Sequence, residues 1–96
     1  MTALTLTSSG RHPLQPLVEA AIQNEIRLLQ AGIRRTEQRL TAFETEYDLS
    51  SPEFVQRYED DELAETLDYA EWVGEYRLLE RLKEKAETLR EIRFAH

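Results

Sequence analysis

Ninety-six residues suit one domain, and the chain has no cysteine and 12 Lys+Arg against 19 Asp+Glu, a net charge of −7. This excludes a disulfide scaffold, a thiolate zinc site and a cysteine nucleophile, and it argues against a general polyanion binder, since a net-negative chain repels DNA and RNA. Three Gly and three Pro in a chain rich in Leu, Glu, Arg and Ala direct the reading to an all-α fold.

Residues 1–13 read as an N-terminal extended or disordered arm. Ala3-Leu4-Thr5-Leu6-Thr7 alternates apolar and polar residues as a short strand does. Nothing else in the chain reads as strand, so this segment is expected to pair with a copy of itself or with another protein, or to stay disordered. Met1–Gly10 has no basic leader pattern, and no apolar run approaches the roughly 18–20 residues of a membrane span. A cytoplasmic protein with no membrane partner is the expectation.

Residues 14–96 read as a single helical hairpin domain. Ser8, Ser9 and Gly10 supply turn chemistry, and Pro13 and Pro16 suit a first helical turn. A helix is then expected from about 16 to 47. Ile22, Ile26, Leu29, Ile33, Thr36, Leu40, Phe43 and Tyr47 fall at alternating spacings of four and three, a heptad stripe. The stripe keeps its phase across Gly32, so the helix is expected to continue there despite a cost of about 1 kcal/mol relative to Ala.

Asp48 to Glu53 marks the clearest boundary. Ser50 and Glu53 have capping-box spacing, and Ser51-Pro52 offers a second N-cap, so a short helix begins near residue 52 and presents Phe54, Val55 and Tyr58. A second long helix is expected directly after Glu59-Asp60-Asp61-Glu62, with these carboxylates favoured at its N-terminus. Leu63, Leu67, Ala70, Val73, Leu79, Leu82, Ala86 and Leu89 are its apolar positions, and Tyr69, Trp72 and Tyr76 form an adjacent stripe. Such a hairpin buries one stripe per helix, so a twofold dimer forming a helical bundle is expected, with Ile22, Ile26, Leu29, Ile33, Leu40 and Phe43 as the dimer seam.

Charge is unevenly spread. Residues 44–75 hold one basic residue, Arg57, against twelve acidic ones, a net of −11, while the segments on either side are each +2. A solvated acidic face is the bland account. Interleaved aromatics favour a contact surface, which steers a basic protein by charge and holds it by aromatic burial. The candidate partner-binding residues are Asp60, Asp61, Glu62, Glu65, Asp68, Tyr69, Glu71, Trp72 and Tyr76. Trp72 has a rival role in the hairpin core.

No reaction chemistry stands out. His12 and His96 lack spacing partners, the glycines at 10, 32 and 74 are isolated, and Asp60-Asp61-Glu62 lacks the alternating ligands and central Gly of an EF-hand loop. A non-enzyme with no cofactor and no protein-built metal site is expected. An N-terminal strand before a helix invites comparison with ribbon-helix-helix DNA binders, in which Thr5 and Thr7 would face the major groove. The low basic charge and the long helix argue against direct nucleic-acid binding.

One stretch is more specific than periodicity. Leu29-Gln30-Ala31-Gly32-Ile33-Arg34-Arg35-Thr36-Glu37 leads to Phe43-Glu44-Thr45-Glu46-Tyr47, then to Ser50-Ser51-Pro52-Glu53-Phe54 and Arg57-Tyr58-Glu59, and on to Asp68-Tyr69-Ala70-Glu71-Trp72 and Glu75-Tyr76. Over about residues 29 to 82 this order resembles small helical antitoxins of prokaryotic toxin–antitoxin operons. Members of that family often carry Gly-Glu at the acidic turn, where this chain has Asp60-Asp61-Glu62. The resemblance implies a cognate small toxin, often a nuclease, whose basic surface the acidic block would mask. A structural coiled-coil homodimer or adaptor with no inhibitory role is the alternative.

Overall fold

A computed structural model describes residues 2–4 and 14–94 of the chain. Expectations that fall on residues 5–13 and on His96 lie outside the described residues.

Helix α1 (Leu14–Tyr47) runs unbroken through Gly32, about 51 Å at a rise of roughly 1.5 Å per residue. Pro16 sits in its first turn, where an amide donor has no helical partner in any case. The helix ends where Asp48 takes φ 50°. The Leu49 N–H then donates back to the Glu44 carbonyl at 3.3 Å, which uses one of the carbonyls that a helix end leaves open. Helix α2 (Ser51–Glu59) follows, with Ser50 as N-cap accepting from the Glu53 N–H. The capping box is half built. The Glu53 carboxylate pairs with Arg57 instead of turning back.

Helix α3 (Leu67–Arg90) starts later than the sequence pattern predicts. Asp61 and Glu62 spend their N–H groups on the Tyr58 and Arg57 carbonyls, closing α2 with Asp61 at φ 56°. Thr66 then caps α3 by accepting from the Tyr69 N–H at 3.1 Å. The carboxylates of Asp60, Asp61 and Glu62 therefore lie in the connection. Only Asp68 occupies the first turn of α3.

The fold is all-α in its body: α1 and α3 form a long antiparallel hairpin and α2 links them. Arg39 meets Glu75, Tyr47 meets Asp68, and Gly32 faces Leu82. The rod measures 60 × 22 × 17 Å with a radius of gyration of 19.0 Å, against about 13 Å for a compact chain of this length. At the far end, β1 (Thr2–Leu4) pairs in parallel with β2 (Ile92–Phe94), with Thr2 opposite Ile92. This corrects the expectation that the N-terminal strand has no ladder partner in its own chain. Ile92-Arg93-Phe94 is too short, and too much like the basic tail of α3, to read as a strand.

Ile26, Leu29 and Leu40 are buried against α3 of the same chain, and Ile22, Ile33 and Phe43 are half-buried. Of the stripe expected as a dimer seam, Ile26, Leu29 and Leu40 are thus covered within one chain, while Ile22, Ile33 and Phe43 are covered in part. A heptad pattern reports that a helix face is covered and does not report whether the cover comes from the same molecule.

Candidate functional site

The linked end of the hairpin holds most of the core and nearly all of the negative charge. Trp72 is the centre of its packing. The indole is fully buried, stacked on Phe54 of α2 at a centroid distance of 3.8 Å and 3° between planes. Phe43 of α1 lies near-parallel to it at 5.5 Å, with Tyr47 at 5.7 Å and Tyr69 at 6.4 Å. Each well-placed aromatic pair adds about 0.5–1.5 kcal/mol beyond its area burial.

Ser51 ties the three helices together. Its hydroxyl accepts from Trp72 Nε1 at 2.9 Å, and its N–H donates to Glu44 Oε2 at 2.8 Å. The serine is itself buried. It therefore satisfies the one polar atom of the indole that burial would otherwise leave unpaired. Among the described residues no buried side-chain polar atom lacks a partner.

Around this core the expected partner-binding residues divide. Asp60, Asp61, Glu62, Glu65 and Glu71 are exposed. Asp68, Tyr69 and Tyr76 are half-buried. The Asp68 carboxylate is engaged, because it accepts from the Tyr47 hydroxyl. That bond, with desolvation and the nearby charges of Asp68 and Glu46, pushes the Tyr47 phenol up to about 12. Trp72 has no exposed surface and belongs to the core. The sequence offered both roles for Trp72, and the structure places it in the second.

A feature missed by the sequence reading lies beside this cluster. An open groove of about 760 Å³ runs between α1 and α3, lined by Arg39, Ala42, Phe43, Glu46, Glu71, Gly74 and Glu75. Its walls carry three carboxylates and one guanidinium, and Arg39 is paired with Glu75 at 2.7 Å. The hairpin register brings Glu46 and Glu71 to one site although they are far apart in sequence. Among the described residues, neither joins an ion pair.

Charge follows the long axis. The linked end holds the block of residues 44–75 at −11, whereas residues 14–43 and 76–94 together hold ten basic and seven acidic residues. The last turn of α1 carries no basic residue. Glu44 and Glu46 sit there, where the helix dipole disfavours negative charge. Among the described residues no group of three or more His, Asp or Glu is arranged to hold a metal ion. No described helix is long and apolar enough to cross a membrane.

A scan against protein-family models finds no match, and searches of curated proteins and of solved structures find none either.

Proposed function

We propose that this protein is an antitoxin-like inhibitor that binds and masks a basic cognate toxin, of the nuclease kind, through its acidic linked end. The observation that carries the reading is the placement of the charge. Twelve carboxylates crowd one end of a 60 Å rod, and among the described residues only three of them are paired with a cation, Glu53 with Arg57, Glu75 with Arg39 and Glu59 with Arg77. Glu44 and Glu46 also oppose the dipole of α1. Self-repulsion of this kind weakens a lone chain, and a basic partner relieves it.

The contact surface in this reading is Asp60, Asp61, Glu62, Glu65 and Glu71, with the half-buried Tyr69 and Tyr76 at its margin. Trp72 acts from beneath by holding the surface rigid. A partner meeting a pre-formed surface spends less free energy on ordering it. The test is co-purification of the tagged chain from its native operon, with identification of any neighbouring gene product bound to it. Capture of a small basic protein, lost at high salt, supports the reading. A neighbour that is neither basic nor bound removes it.

A second reading, a structural homodimer or adaptor, draws on Leu17 and Leu28. These are 64% and 60% exposed on α1, on the side away from α3. Sedimentation of the chain alone separates the two: a concentration-dependent dimer abolished by Leu28→Glu favours the structural role.

A further inference from the structure

The groove between α1 and α3 has the chemistry of a receptor for one side chain. Phe43 and Ala42 provide apolar lining, and the ring of Phe43 is held in place by its stacking on Trp72. Gly74 lines the α3 wall, and a Cβ built there meets nothing within 4 Å. Glu46 on α1 and Glu71 on α3 stand on opposite walls, and among the described residues neither forms an ion pair. The chain itself places one guanidinium at the rim, since Arg39 pairs with Glu75.

We infer that this groove seats an arginine side chain of the basic partner, its guanidinium against Phe43 and between Glu46 and Glu71. The inference rests on the proposed function and adds the place and the residue type of the main contact. Arginine fits better than lysine. Its planar fork pairs with two carboxylates at fixed geometry and lies over an aromatic face, whereas an ammonium is a compact, strongly hydrated point charge. Gly74 lines the groove, so a bulky side chain there is expected to narrow the space the arginine needs.

The probe is N-acetyl-arginine-N-methylamide, titrated into the isotopically labelled full chain, with the neutral citrulline analogue as control. Expected are saturable amide shifts centred on Phe43, Glu71 and Gly74 with arginine and none with citrulline. Gly74→Phe should weaken the response about tenfold or more, and the double variant Glu46→Gln/Glu71→Gln should abolish it while keeping the shape of the groove. Both variants are checked for wild-type melting behaviour, and the glutamine pair decides the matter if Gly74→Phe fails to fold. Shifts spread over residues 60–65, a response unchanged in the glutamine pair, or an equal response to citrulline would each overturn the inference. The two proposals fail separately. A chain that binds its operon partner but not the arginine probe loses the groove and keeps the inhibitor reading. A chain that binds the probe at the groove but no basic neighbour keeps the groove and loses the inhibitor reading.

Discussion

The two ends of this hairpin solve the same problem by different means. At the linked end three helices converge, and Leu40, Phe54, Trp72, Val73 and Leu79 form one buried cluster with a ring of half-buried aromatics around it. Toward the termini, among the described residues, α1 and α3 continue as a pair with the short β1–β2 ladder at their end. Ile26, Leu29 and Ala86 are buried there, but an open groove of about 600 Å³ lined by Ile22, Ile26, Leu89 and Ile92 lies beside them. A two-helix seam fully encloses a side chain as small as that of Ala86, whereas with a third helix side chains as large as those of Phe54 and Trp72 are fully enclosed. Helix α2, short as it is, thus sets which end encloses large side chains, and that end is the one that carries the acidic block.

The largest effect expected from breaking this contrast is at Trp72. Trp72→Ala empties the centre of the aromatic cluster and should cost about 3–5 kcal/mol, whereas Ile26→Ala at the thinner end should cost about 2 kcal/mol, the lower end of its class. Thermal or urea unfolding of the two variants reads the difference directly. Equal losses would mean that the two ends are equally well packed.

Ser51→Ala comes next. It leaves the indole N–H of Trp72 buried without an acceptor, an expected loss of about 1–3 kcal/mol. Trp72 fluorescence in the folded variant reports whether water has reached the indole. A variant as stable as wild type would show that the tie between α2 and α3 is dispensable.

Gly32→Ala sharpens the contrast from the other side. A Cβ at this position lies 3.5 Å from Leu82 Cδ1, an ordinary contact, so the substitution should stabilise α1 by about 1 kcal/mol through helix propensity alone. A lowered melting temperature would mean that Leu82 does not accommodate the added methyl group.

The smallest effect at neutral pH concerns Tyr47. Its phenol is pushed up to about 12, from an ordinary value of 10.0, first by its hydrogen bond to Asp68. A raised value means that the folded state holds this proton more tightly than the unfolded state. The contribution is complete below pH 10 and is lost as pH rises through about 12. Melting curves of wild type and Tyr47→Phe should therefore converge across that interval. A gap that stays constant through it would remove the Tyr47–Asp68 contact from the account.

Much of the fold was legible in the sequence, for reasons of periodicity. The heptad stripe from Ile22 to Tyr47 gave α1 and its passage through Gly32, and Ser50 with Pro52 gave α2. The start of α3 was misplaced because acidic residues suit both a helix N-terminus and a connection. What decided was Asp61, which takes the left-handed backbone that glycine adopts more freely. The site was less legible. Local spacing showed the acidic block but not the groove, because Glu46 meets Glu71, and Arg39 meets Glu75, only once the hairpin register is known. Trp72 was ambiguous for the same reason that tryptophan is common both in cores and at interfaces: only burial distinguishes the two.

In the proposed function a basic partner is captured by the exposed carboxylates of the linked end. The most direct measurement is the association rate of the co-purified operon partner, at several ionic strengths, with wild type and with a variant in which Asp60, Asp61, Glu62, Glu65 and Glu71 become Asn or Gln. Asn at 61 keeps the left-handed turn accessible. Asp68 is left intact to preserve its bond to Tyr47. A slower on-rate at low salt and a flattened salt dependence are expected for the variant, with the melting temperature retained or raised. An on-rate equal to that of wild type at low salt would contradict the proposed function.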